Sequence, residues 1–238
     1  MGFAVLLVVT FVLAGTVKGV TGMGLPTVAM ALLGTAMSPS AAAALLVIPS
    51  LVTKVWQLLC GRHLWSVFQR MWPMLLAIVG GTLAGARLLA QVDVRWSGMA
   101  LGGALVVYTL HALLMPALRV TVWMEKWLSP VVGLVTGVVT GMTGVFVMPA
   151  VPWLQSLRME RDALVQALGL SFTVSTLALA AGLWHQGALA MDALGLSLLA
   201  LPPALAGMWL GQKIRTRISP PRFRQCLLLF LMLLGLQL

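Results

Sequence analysis

The chain has 238 residues, of which 61% are hydrophobic and 8% charged, with a formal net charge of +10. A soluble domain carries about 25% charged residues, and a chain of this size has no soluble core able to hide so much apolar surface. The composition excludes a soluble protein and describes a polytopic membrane protein in a lipid bilayer; the basic residues are spread between apolar windows, so no nucleic-acid partner is expected.

Five windows contain no Asp, Glu, Lys or Arg: Gly19–Thr53, Trp96–Leu118, Trp127–Leu157, Ala163–Met191 and Ala193–Gln212. A membrane-spanning helix needs about 20 apolar residues, so several windows hold more than one pass. In chain order the apolar segments fall near 2–20, 23–37, 40–60, 71–91, 97–115, 127–141, 144–157, 163–184, 189–211 and 223–238. The second and seventh are nearer to half-helices than to full spans. The first lacks a basic n-region, so it reads as a mature helix and not a cleaved signal. The nine tryptophans mostly lie near segment ends, as an interfacial belt requires.

The halves resemble each other. Thr21-Gly22-Met23 recurs as Thr140-Gly141-Met142, followed by Pro26 and Pro149 respectively. His63 follows the third segment as His185 follows the eighth, and Gly81 and Gly85 answer to Gly207 and Gly211, with Arg87 and Lys213 beyond. The order predicts two repeats of about five helical segments, near 1–118 and 119–238, within one transmembrane domain. An odd number of crossings per repeat inverts the second relative to the first. If each opening pair enters and returns as a broken or hairpin pair, one side holds Arg62, Arg70, Arg119, Lys126, Arg158, Arg161, Lys213, Arg215, Arg217, Arg222 and Arg224, and the other only Arg87 and Arg95. The positive-inside rule favours this arrangement and places the richer side in the cytoplasm.

Residues 15–26, GTVKGVTGMGLP, and their looser copy GLVTGVVTGMTGVFVMP (133–149) resemble the glycine-rich opening of each half in the TauE/SafE family of sulfite-exporter-type transporters. The resemblance covers nearly the whole chain. It implies movement of sulfite, an organosulfonate or a similar small sulfur-containing anion, usually outward, across the bacterial cytoplasmic (inner) membrane. The chain departs from the family pattern in carrying Lys18 in the first copy, and Met142-Thr143 and Val145-Phe146 in the second.

The residues themselves point to an anion. A lysine within the hydrocarbon layer costs from about 2.5 to over 10 kcal/mol. Lys18 and Lys54 lie inside the segments, and no Asp or Glu lies in any of the charge-free windows to pair with them. Two readings remain open: an anionic ligand is the partner, or the lysines snorkel to the headgroups. The glycines permit a helix break whose exposed N–H groups attract anions, or allow close helix packing. Pro26 suits the first turn of a helix beginning near Leu25, and transporters built from inverted repeats often bind substrate between two such breaks. The candidate substrate-binding set is Lys18, Thr21, Gly22, Gly24, Lys54, Thr140, Gly141, Thr143, Ser175 and Thr176. Thr176 corresponds to Lys54 in the repeat.

Cys60, Cys226 and the three histidines form no metal-ligand spacing, so no metal and no cofactor is expected. There is no nucleophile–base–orienter set and no ATP-binding loop, so neither catalysis nor ATP-driven pumping is expected. Alternating access without ATP is the expected mechanism. The alternatives are a non-transporting scaffold subunit and a cation or metal permease; the second would want carboxylates or thiolates in the spans. The Gly-xxx-Gly faces at Gly81 and Gly207 suit internal packing or a homodimer equally.

Overall fold

The structure is a computed structural model that describes residues 2–59, 64–91, 94–114, 122–157, 159–187, 191–215 and 220–237. Cys60, Arg62, His63, Arg119, Arg158 and Arg217 lie outside the described residues.

Every regular element among the described residues is helical, as apolar stretches without competing carboxylates dictate in a membrane, where backbone groups must be bonded within the segment. The helices are α1 (Gly2–Thr21), α2 (Leu25–Leu33), α3 (Pro39–Leu59), α4 (Leu64–Gln91), α5 (Val94–Leu114), α6 (Val122–Thr143), α7 (Ala150–Ser156), α8 (Arg161–His185), α9 (Met191–Leu199), α10 (Leu201–Arg215) and α11 (Pro220–Gln237). Five stretches are long and apolar enough to cross a membrane: Ala4–Thr21, Leu64–Leu88, Arg95–Leu114, Asp162–His185 and Leu194–Ile214. The fold is an all-α polytopic membrane protein.

The ten expected segments all appear, with two differences. The helices α4 and α6 begin about a turn or more before their apolar windows, at Leu64 and Val122, because Arg70, Glu125 and Lys126 are tolerated at an interfacial end. The ninth segment is broken at Ala200 into α9 and α10, just ahead of Pro202 and Pro203. The short elements are short indeed: α2 has 9 residues and α7 has 7. At about 1.5 Å per residue neither reaches half of a hydrocarbon layer about 30 Å thick.

Packing joins elements of the first half to elements of the second. The helix α1 lies along α10, α4 along α6, α3 along α8, and α5 along α11. The two closest pairs are sealed by glycine. A Cβ added at Gly15 or Gly19 of α1 would fall within 3.0 Å of α10 backbone, and one at Gly207 or Gly211 would meet α1 backbone equally closely. Gly81 and Gly85 of α4 face Gly133, Gly137 and Gly141 of α6 in the same manner. Close approach lets dispersion act over whole backbones, which is how helices associate where lipid removes the hydrophobic drive.

The helix α3 contains Pro49, which has no N–H to give the Leu45 carbonyl. Ser197 of α9 fills the gap: its hydroxyl donates to Leu45 O at 2.8 Å and accepts from Ile48 N–H at 3.1 Å. The buried interior includes α2, α3, α7 and α8 residues such as Leu25, Met30, Leu46, Leu154 and Phe172, together with Phe11 of α1 and Met74 and Ile78 of α4. Val5, Leu76, Leu134 and Leu233 are exposed on the outer faces, as lipid contact requires.

Candidate functional site

The site is built on two helix ends of matching geometry. The helix α1 stops at Thr21 because Gly22 takes a left-handed backbone (φ 81), its N–H still donating to Lys18 O at 2.7 Å. The Thr21 hydroxyl donates to Val17 O at 2.9 Å and accepts from Met23 N–H at 3.3 Å. The helix α6 stops at Thr143 in the same way: Gly144 has φ 68 and its N–H donates to Thr140 O at 2.8 Å. The Thr143 hydroxyl donates to Val139 O at 2.6 Å and accepts from Val145 N–H at 3.2 Å. In geometry Gly22 therefore answers to Gly144, three residues beyond the Gly141 that the tripeptide match suggests. The two breaks share their hydrogen bonding, whereas the two Thr-Gly-Met strings sit at different places relative to them.

Past the first break, Gly24 caps α2 with φ 100 and Pro26 occupies its first turn. The N-terminal end of α2 thus opens beside the last turn of α1, where Lys18 sits. The helix α3 brings up Thr53 and Lys54 near its own end. Lys18, Gly22, Met23, Gly24, Pro26, Lys54, Phe146, Val147 and Phe172 line one cleft, with about 10 Å³ of open space, room for about one water molecule.

Both lysines point inward. Lys18 is 7% exposed and Lys54 2% exposed, so neither snorkels. Lys18 Nζ donates to Thr53 Oγ1 at 2.8 Å, and Lys54 Nζ donates to Thr176 Oγ1 at 2.6 Å. Each threonine hydroxyl can accept because its own proton goes to its helix, Thr53 to Pro49 O at 2.7 Å and Thr176 to Phe172 O at 2.7 Å. Lys54 Nζ also lies 3.6 Å from the Phe146 ring centroid and 5.6 Å from that of Phe172, a cation–π arrangement. Among the described residues, no carboxylate is within ion-pair distance of either ammonium; Arg70 and Glu125, at 2.6 Å, form a pair between the starts of α4 and α6. An ammonium has three donors, so two buried point charges converge here with hydrogen-bonding capacity left over and no counter-charge.

Of the residues singled out in sequence, Lys18, Gly22, Gly24 and Lys54 line the cleft and Thr176 bonds into it. Thr21 and Thr143 spend their hydroxyls on the helix breaks. Thr140 is buried, its hydroxyl turned to Val145 O at 3.3 Å. Ser175 bonds back to Ser171 O at 2.8 Å, and Gly141 faces Thr82 and Ala86 of α4. His185 is exposed at the end of α8. Sequence reasoning missed the aromatic walls, Phe146 and Phe172, and the acceptor role of Thr53. Phe146 was visible as a bulky residue where glycines are usual, but nothing in the sequence tied it to Lys54.

Lys54 and Thr176 stand 122 residues apart, the interval that also separates Gly22 from Gly144. The bond joins a cation of α3 to a hydroxyl of α8.

The family model described as Sulfite exporter TauE/SafE matches residues 7–238. No curated protein and no solved structure matches the chain.

Proposed function

The chain belongs to the TauE/SafE sulfite exporter family, and on that premise we propose that it carries a small sulfur-containing oxyanion outward across the bacterial inner membrane, with Lys18 and Lys54 as the groups that receive it. One observation carries the reading: two buried ammonium groups share a cleft with, among the described residues, no carboxylate in ion-pair reach. Burying a charge without a partner costs several kcal/mol. A compact dianion or monoanion supplies the missing partner, and the N-terminal end of α2 adds its dipole.

The halves form inverted repeats in this reading, their opening breaks meeting at the cleft. It is supported by the matched ends at Gly22 and Gly144, by the pairing of Lys54 with its counterpart Thr176, and by the exchange of partners in the α1–α10 and α4–α6 contacts. The cleft has room for only a water-sized group, so passage of sulfite requires its walls to part, as alternating access does. No ATP is needed: an inside-negative potential contributes about 2.3 kcal/mol per negative charge per 100 mV towards expulsion.

The test is a thermal-shift screen of purified protein against sulfite and other small oxyanions. A ligand at about 100 times its Kd stabilises the folded state by about 2.7 kcal/mol. Sulfite is expected to raise the midpoint of the wild type and to leave that of Lys18→Ala/Lys54→Ala unmoved. Equal shifts in both proteins would remove the lysines from the site.

A further inference from the structure

The helix α3 is tied to different neighbours on the two sides of Pro49. Ahead of the proline, Ser197 of α9 donates to Leu45 O at 2.8 Å and accepts from Ile48 N–H at 3.1 Å. Beyond it, Thr53 accepts from Lys18 of α1, Lys54 donates to Thr176 of α8, and Leu58 O accepts from the Gln166 amide of α8 at 3.1 Å. One buried lysine therefore belongs to the second segment of α3, and the other bonds to it. Between the segments the helix ladder is interrupted, because Pro49 has no N–H to give Leu45 O.

Three features loosen this junction. The ladder bond is missing, and a side chain from another helix stands in its place, a recognised cause of helix bending. The Thr53 hydroxyl bonds back to Pro49 O at 2.7 Å and to Ser50 O at 3.2 Å, and such back-bonding also bends helices. Packing beside the junction is incomplete. A cavity with about 10 Å³ of open space is lined by Ala43, Leu46 and Val47 from before the proline and Ser50 from after it, with Thr176 and Leu179 of α8 opposite. The Ser50 hydroxyl there is 1% exposed and has no hydrogen-bond partner. A close-packed interior resists a change of angle; a void and an unbonded side chain do not. Ser197 acts the other way. It takes up both backbone groups on the near side of the proline and holds the first segment against α9.

Resting on the anion-carrier reading above, we infer that Pro49 is a working joint: residues 50–59 swing about it, carrying Thr53 and Lys54, while Ser197 pins the first segment of α3 to α9. Neither Pro49 nor Ser197 lines the lysine cleft, so both act by positioning. Lys54 lies about 7.5 Å along the axis from Pro49. A change of about 20° at the joint therefore moves its backbone by about 2.5 Å. That displacement shifts the α3 wall of a cleft that holds only a water-sized group.

Pro49→Ala supplies the missing donor to Leu45 O and stiffens α3. In the purified full chain, hydrogen exchange read by mass spectrometry should slow about tenfold across residues 46–53, the worth of about one backbone hydrogen bond. Thermal-shift titration with sulfite should give a Kd within about 2-fold of the wild type, while maximal sulfite flux from proteoliposomes falls at least about tenfold. Ser197→Ala is the counter-variant: exchange over the same residues should quicken about tenfold and stay near wild type at 54–59. Unchanged exchange in either variant overturns the joint. Slowed exchange with undiminished flux in Pro49→Ala, or a Kd that changes as much as the flux, overturns its part in transport. These outcomes leave the sulfur-anion reading standing, because the wild type still binds and moves sulfite. If the wild type does neither, that reading falls and the inference falls with it.

Discussion

Lys54 is the residue on which most of the chemistry converges. Its ammonium is held by Thr176, capped by Phe146 and faced by Phe172, with 2% of the residue exposed. Such a charge is a liability to the fold and an asset only to a ligand. Lys54→Met, of similar length and apolar, should therefore stabilise the protein by about 1 kcal/mol or more, because a buried unpaired charge is removed, while binding of small oxyanions falls by at least about tenfold, the weight of one charge-assisted hydrogen bond. Denaturation midpoints and anion titrations on the one variant read both; lost stability together with retained binding would mean that Lys54 serves the fold. Ser197 shows the opposite balance. It mends the carbonyl that Pro49 leaves unpaired, so Ser197→Ala should cost about 1–3 kcal/mol of stability, seen as a lowered unfolding midpoint. Its position, away from the residues that line the cleft, predicts anion affinity close to wild type in the folded fraction.

At the scale of elements, two glycine seams tie the halves together, α1 to α10 and α4 to α6. Each seam joins a helix of one half to a helix of the other, so the closest packing crosses between the halves and does not lie within them. Gly211→Leu should break the first seam and Gly141→Leu the second, since the added side chain meets backbone that cannot yield; the expected readout is loss of the monodisperse folded protein in size-exclusion chromatography. Gly80→Leu on the same helix as Gly81 is the contrast: open space surrounds Gly80, so the folded peak should survive. The elements were largely legible beforehand. Ten apolar segments, including the two short ones, follow from where charges and prolines stop a helix. The split at Ala200 and the earlier starts of α4 and α6 were not, because a charge at an interface costs little and an apolar window does not record it. Of the site, Lys18, Lys54 and the glycines at the first break were legible, since a lone cation among apolar residues announces itself. The match of Gly22 to Gly144, and the rings over Lys54, were hidden: the first by a coincidental tripeptide, the second because contacts between α3, the second break and α8 depend on the packing of three separate elements.

For the whole molecule, the proposal is a carrier whose charge asymmetry sits inside a duplicated scaffold. In that reading the first half provides Lys18 and Lys54, and the second half provides Thr176 at the place that corresponds to Lys54. Among the described residues no carboxylate lines the site to relay protons, and on the proposed reading transport should follow membrane potential without an imposed pH gradient. The most direct measurement is flux of sulfite from proteoliposomes clamped by a potassium diffusion potential at equal pH on both sides. Efflux should rise with an inside-negative potential, reverse direction when the potential is reversed, and vanish in Lys18→Met/Lys54→Met despite normal folding. Flux that ignores the potential, or that persists at the wild-type rate in the double variant, would contradict the claim that these two buried ammonium groups carry the anion.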